Sequence, residues 1–466
     1  MLTLTIAAII AALIVFTFLG LQAIRQDSLD DYLTARHSQT GIGLALSFLA
    51  SGMGAWILFA PPEIGALVGP IAVAGYAVGS ALPFVILGLI GPQIRARLPA
   101  GRSLTEFAAE RFGVGFRYWI AGLSVLYMLC FLAAELTAIG AITQLLSGVD
   151  GRFTIIAVAL TTLAYTALGG LRASLLTDRW QSFLMLTLMG LVALAVVGFA
   201  PEKTAQSGAG SMPSSDLLSG LAVALTLVIA VTSANLFHQG YWQRVWAARD
   251  NKALRIGALI GGVSTVIVVA VLGTAGILAA MWGYPLGNPP IPFFALLERA
   301  PTWLTLPALI LAITLVASSV DTLENALVSL GVTETGKIGL RGARWLTAIL
   351  MLPVIALALQ QVSVLRLFLI ADLLCASAII PLLSGLAARV GPGAAITGAA
   401  MGLIGAVLPG MMTTSSVAGG FLVASFPQSI PTLAPFVGAL TASGVTVWVI
   451  AWVQPLKSPR PTQGLR

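Results

Sequence analysis

The sequence predicts an all-α integral membrane protein of about thirteen transmembrane helices, and three observations carry that expectation. Of its 466 residues, 58% are hydrophobic and only 9% are charged, against about a quarter charged in an ordinary soluble domain. Mean hydropathy is +0.98. Apolar runs of about 20 residues, the length a helix needs to cross hydrocarbon, recur from one end of the chain to the other.

Taken in order, the first run, 2–24, lacks a basic leader and a small-residue cleavage site, so it reads as a permanent helix. Further runs lie at 41–66, 69–91, 116–147, 153–170, 178–200, 216–241, 254–281, 303–330, 343–360, 363–389, 394–412 and 430–453. The longest connections, Pro201 to Ser215 and Trp282 to Pro292, carry the Pro, Gly and Ser of loops. Segment 1–25 and the last two spans, within 390–454, are set aside as additions. The remaining helices then fall into halves of five, 41–200 and 216–389. An odd number of crossings reverses direction, so such halves form an inverted repeat, with substrate and ions bound at the midplane between discontinuous helices.

The net charge of +7 taken alone would fit a nucleic-acid partner, but the basic residues sit in short clusters between apolar runs. With the amino terminus outside, the inner side holds Arg25, Arg36, Arg95, Arg97, Arg102, Arg111, Arg117, Arg172, Arg179, Arg244, Arg249, Lys252, Arg255, Lys337, Arg341, Arg344, Arg389, Lys457, Arg460 and Arg466. Arg152, Lys203, Arg299 and Arg366 are left outside. That bias predicts a multi-pass protein of the inner or plasma membrane with a cytoplasmic carboxyl terminus. Clusters such as Arg244, Arg249, Lys252 and Arg255 read as topology anchors near anionic lipid. Cys130 and Cys375 lie in predicted spans without metal-ligand spacing and read as packing.

Chemistry is expected where polar groups interrupt this apolar background. Ser318, Asp321, Thr322 and Asn325 share one helix face, at offsets of three, four and seven. Oxygen atoms in hydrocarbon are costly, so the stripe reads either as a cation site or as hydrogen bonding between helices. The first helix of each half looks broken. Ala50-Ser51-Gly52-Met53-Gly54-Ala55-Trp56 places two glycines at mid-depth before Pro61-Pro62, and Thr232-Ser233-Ala234-Asn235 precedes Phe237-His238-Gln239-Gly240.

Three motifs resemble the sodium/solute symporter family. Gly169-Gly170-Leu171-Arg172-Ala173 with Thr177-Asp178 and Gln181 resembles its loop-to-helix signature. Ser318-Ser319-Val320-Asp321-Thr322 with Asn325-Ala326 resembles its eighth core helix, and Ala50-Ser51 with Met53 and Trp56 resembles its first, nearest the proline-transporter branch. The resemblance spans Ala50 to Pro381 and implies a LeuT-like fold and sodium-coupled uptake. It implies a sodium site built from the carbonyls of Ala50, Met53 and Leu315 and the hydroxyls of Ser318 and Ser319. Hard cations take oxygen ligands, and unwound backbone supplies them without added charge. A second sodium site would use Asp178, Ser318, Asp321 and Thr322; alternatively, Asp178 caps its helix. Gly52 stands where the proline branch has an aspartate, which leaves a proton carried on Asp321, Asp178 or Glu135 as a rival coupling ion.

For substrate, the resemblance implies His238 and Gln239, with Tyr241 and Trp242 at an inner gate; the run His238 to Arg244 resembles urea-transporting members. Trp56 belongs to the same region, and Glu135 either pairs with an amine or bonds a neighbouring helix. Glu63 reads as solvated, and Asp372 as either structural or cavity-lining. No catalytic constellation and no phosphate-cradling pattern is present, so no enzyme activity and no cofactor beyond coupling Na⁺ is expected. The expected partners are a small polar solute, Na⁺ and lipid, with no nucleic acid, acting as a monomer. A sensor on the same fold would carry a signalling domain, for which the tail after Val453 is too short.

Overall fold

The computed structural model describes residues 2–22, 28–198, 216–287, 290–298, 302–360, 364–426 and 431–453. Arg25, Lys203, Arg299, Lys457, Arg460, Arg466 and the Pro201 to Ser215 connection are wholly or almost wholly outside them. Among the described residues the regular elements are helices, with one isolated bridge between Gln39 and Ala248. In chain order they are α1 (Leu2–Gln22), α2 (Leu29–Thr34), α3 (Gly41–Gly52), α4 (Trp56–Leu67), α5 (Pro70–Arg97) and α6 (Leu104–Phe112). Next come α7 (Val114–Ser147), α8 (Gly151–Gly198), α9 (Leu217–Asn235), α10 (Gln239–Ala247), α11 (Asn251–Met281) and α12 (Pro292–Glu298). The last are α13 (Thr305–Thr335), α14 (Leu340–Ala358), α15 (Val364–Leu383), α16 (Pro392–Thr414), α17 (Val417–Ala424) and α18 (Leu433–Val453).

By length and hydropathy ten helices qualify as spans, and the bent pair α3/α4 makes an eleventh. The expected thirteen also counts α1, whose apolar stretch Ile6–Gln22 is shorter, and counts α8 twice. The 48 residues of α8 amount to about 72 Å of helix at 1.5 Å per residue, more than two hydrocarbon thicknesses. The sequence placed a loop between 170 and 178 here, and the structure corrects it. Only Gly170 leaves helical geometry, at φ 58° and ψ −149°, a region that side-chain-bearing residues avoid. A Cβ at Gly170 would lie 2.5 Å from both the ring and the carbonyl oxygen of Tyr32, whose hydroxyl donates to the carbonyls of Thr166 and Ala167.

Both expected breaks are present. α3 and α4 meet at 68° across Met53–Ala55. Met53 is extended (φ −105°, ψ 100°), and its N–H folds back on the carbonyls of Leu49 and Ala50. Gly54 lies against the Glu135 carboxylate, where any Cβ would collide with it. The second break, Leu236–His238, separates α9 from α10. Trp242 bridges it by donating its indole N–H to the Leu236 carbonyl at 2.8 Å. Nδ1 of His238 accepts from the Gly240 N–H at 3.1 Å, capping α10.

α11 packs on α3, α4 and α5, and α5 packs on α9; α13 packs on α7, α8 and α14; α16 packs on α15, α17 and α18. The connections expected on one side of the membrane do meet one another. Arg36 and Arg102 pair with Asp30, Arg172 with Asp31, and Arg117 with Glu334, while Arg95 donates to the Ala248 carbonyl. The periphery is apolar and exposed, as at Leu89, Phe183, Leu194 and Trp452, which suits lipid.

Candidate substrate cavity and cation cluster

The broken helices place a small cavity among five elements. Trp56 of α4, Tyr76 of α5, Tyr127 and Phe131 of α7, Val231 and Asn235 of α9, and Phe368 and Asp372 of α15 line it. Trp56 stacks on Tyr76 with ring centroids 5.6 Å apart, and Phe131 meets Phe368 edge-on at 4.8 Å. The Tyr127 hydroxyl donates to Oδ1 of Asn235 at 3.3 Å. Asp372 is the acid in this lining; among the described residues its carboxylate has no hydrogen bond or ion pair, and it is 8% exposed. Aromatic faces beside an uncompensated carboxylate attract cations through both the ring quadrupole and direct charge.

At one end of the cavity the His238 ring lies edge-on to Tyr127 and Phe131 and stacks on Tyr241 at 4.5 Å. Tyr241 in turn meets Phe48 and Phe84, forming an aromatic plug. With Nδ1 accepting, the neutral His238 carries its proton on Nε2, which is buried without a partner among the described residues.

Along α10 from the plug lies a buried charge cluster. Arg244 is fully buried and pairs with Asp178 at 2.8 Å. Its Nε donates to Oγ of Ser47 at 2.7 Å, one Nη to the Gly240 carbonyl at 2.8 Å, and the other Nη also to Oγ1 of Thr322 at 3.2 Å. Ser47 and Ser318 donate to the two oxygens of Asp178, at 2.6 and 3.1 Å. Asp321 is held by hydroxyls alone: Ser174 and Tyr165 at 2.7 Å, Thr177 at 3.2 Å and Thr322 at 3.4 Å.

Arg244 is therefore no topology anchor. Nor does Asp178 cap a helix, since it lies within α8 beyond the Gly170 kink. Of the expected sodium ligands, Ala50, Met53, Leu315, Ser318 and Ser319 are all at most 2% exposed, and Ser319 Oγ has no partner among the described residues. α3 and α13 are adjacent, joined through Ser47, Asp178 and Ser318.

Among the expected substrate contacts, Trp56 lines the cavity. His238 and Tyr241 form the plug, Trp242 staples the helix break, and Gln239 donates to the Arg102 carbonyl at 2.6 Å. Glu135 is not part of the lining; its Oε2 accepts the Ala55 N–H at 2.6 Å and so caps α4. Glu63 is half-buried rather than solvated. Cys130 and Cys375 are free thiols within α7 and α15. Sequence reasoning missed Tyr76, Tyr127, Phe131 and Phe368. The spacing of Tyr127 and Phe131, four apart on one helix face, is the signal that was there to read.

A profile of the sodium:solute symporter family matches residues 32–321. The spermidine transporter DUR31 of Candida albicans (strain SC5314 / ATCC MYA-2876) is 31% identical over 364 residues, covering 77% of this chain and 70% of that protein. A Na⁺-coupled sialic acid symporter, solved in a substrate-bound outward-open state, superposes with a TM-score of 0.78 at 16% identity, over 98% of this chain and 99% of that one. A nucleobase-cation-symport-1 family transporter in a closed conformation superposes at 0.57 and 13% identity, over 94% and 98%. The fold is thus LeuT-like and the protein a multi-pass solute transporter rather than an enzyme. The chain belongs to the sodium:solute symporter family.

Proposed function

We propose that this protein is a sodium-coupled symporter that carries a cationic amine into the cell by alternating access, with its amino terminus outside and segments 41–200 and 216–389 as inverted halves. The observation that carries the substrate class is Asp372, an uncompensated carboxylate in an aromatic-lined cavity. A neutral or anionic solute offers this acid no ionic partner, whereas an ammonium group pairs with its charged form. Glu135 supports the same class. A half-helix amino terminus at mid-depth ordinarily invites a substrate carboxylate, and here the protein's own carboxylate already caps it. The relative that carries spermidine, a polyamine, agrees in chemistry.

The coupling ion is assigned to Ala50, Met53, Leu315, Ser318 and Ser319; the buried, unpartnered hydroxyl of Ser319 supports this assignment. Each elementary charge moved inward gains about 2.3 kcal/mol per 100 mV, or about forty-fold accumulation, so a cationic solute adds its own driving force to that of sodium. The test is uptake of radiolabelled spermidine into proteoliposomes, with an inward sodium gradient against choline at fixed pH and voltage. Sodium-stimulated uptake that disappears in Ser318→Ala/Ser319→Ala, with the protein still folded, is expected. Uptake driven by a proton gradient and indifferent to sodium would replace the coupling assignment, and absence of amine uptake would end the substrate assignment.

A further inference from the structure

We infer that Arg244 is a resident cation: its guanidinium fills a buried, oxygen-lined cage that would otherwise take a second sodium ion. The cage is built from four elements. Ser47 comes from α3, Asp178 from α8, Gly240 from α10 and Thr322 from α13. Four of the five N–H groups of the guanidinium are directed at these oxygens, between 2.7 and 3.2 Å. Carboxylate, hydroxyl and carbonyl oxygens converging from separate helices are also the ligand types an alkali cation seeks. The second sodium site implied by the family resemblance uses Asp178, Ser318, Asp321 and Thr322; two of these, Asp178 and Thr322, line the guanidinium's cage, and Ser318 donates to Asp178.

A sodium ion and the guanidinium cannot share Asp178. Two positive charges a few ångströms apart in a dehydrated interior repel strongly, and one carboxylate compensates only one of them. Each oxygen of Asp321 already accepts a short hydroxyl bond, from Ser174 and Tyr165 at 2.7 Å, and its carboxylate is not among the guanidinium's partners. Next to this cage, Ser319 Oγ is buried with no partner among the described residues, and the Ser318 hydroxyl gives its proton to Asp178 while keeping its lone pairs for the exchanging ion. One cation position is therefore left for an exchanging ion and the other is filled covalently. Resting on the sodium-coupled reading above, this predicts that a single Na⁺ accompanies each substrate.

Equilibrium binding of ²²Na⁺ to the purified full-length protein in nanodiscs tests this. Arg244→Ala should bind one more Na⁺ per protein than wild type. The added ion should be displaced by millimolar guanidinium chloride and lost when Asp178→Asn is combined with Arg244→Ala. Arg244→Ala should also gain a sodium-dependent rise in melting temperature that wild type shows less strongly. Should Arg244→Ala fail to fold, the charge-neutral pair Asp178→Asn/Arg244→Gln leaves no uncompensated charge and should keep the wild-type Na⁺ count. Loss of one Na⁺ in that pair, or an unchanged count in folded Arg244→Ala, would overturn the inference. A wild type that binds no Na⁺ would defeat sodium coupling, yet a gain of one ion in Arg244→Ala would still sustain the resident-cation role.

Discussion

The aromatic cavity and the Arg244 cluster each hold a buried carboxylate, and the two are treated oppositely. Asp178 is compensated from within, by a guanidinium and two hydroxyls. Asp372 faces a cavity lined by rings and has no such compensation among the described residues. A charge the fold has neutralised holds helices in place, while a charge left open selects what enters. The difference separates scaffold from binding site more sharply than burial does, since both acids are buried.

Substitution at the two acids should break or sharpen that comparison. The largest effect on transport is expected at Asp372→Asn: losing a desolvated charge pair with the solute costs about 2–5 kcal/mol, so amine uptake should fall by about thirty-fold or more. Its melting temperature should hold or rise, because an uncompensated buried charge has been removed. A loss of stability there without a transport defect would reverse the roles of the two sites. Asp178→Asn should do the opposite, leaving Arg244 buried and unpaired at a cost of about 3–5 kcal/mol, visible as a large fall in melting temperature.

Glu135 lies between these extremes, since it serves the fold at the edge of the site. Glu135→Ala removes the acceptor for the Ala55 N–H and should cost about 1–3 kcal/mol. Glu135→Gln keeps an acceptor oxygen and should cost less. If Glu135→Gln instead changed amine affinity while stability held, Glu135 would belong with Asp372. The smallest effect is expected outside the membrane, at Asp30. Hydrogen bonds from Arg36 hold its carboxyl below the usual range, against the opposing pull of partial burial. A depressed folded value means the stabilisation is present above the unfolded pKa of about 3.9 and is lost as pH falls through the folded one. Asp30→Asn should therefore flatten the acid side of the stability profile below about pH 4. The change should be no more than about 1 kcal/mol, because the pair is partly exposed.

Much of the architecture was legible beforehand for simple reasons. Apolar runs at spanning length and clustered Arg and Lys reflect the bilayer, which imposes its constraint residue by residue along the chain. The two breaks were legible because Gly52, Gly54 and the polar run Thr232 to Asn235 are locally unsuited to an uninterrupted membrane helix. Helical spacing also put Ser318, Asp321 and Thr322 on one face before any neighbour was known.

Partnership was not legible, because it depends on residues far apart in sequence. Arg244 looks like every other basic residue at the end of a span until α10 carries it beside Asp178, 66 positions earlier in the chain. Glu135 looked available for substrate until the α3/α4 break presented an N–H to it across 80 positions. Asp372 could not be placed until α4, α5, α7 and α9 closed around it. The sequence by itself determined which segments cross the bilayer and where they break, since those are local demands of hydrocarbon on backbone and side chain. Only the tertiary structure decided which buried charges are answered from within and which await a visitor, because compensation is a matter of distance between elements.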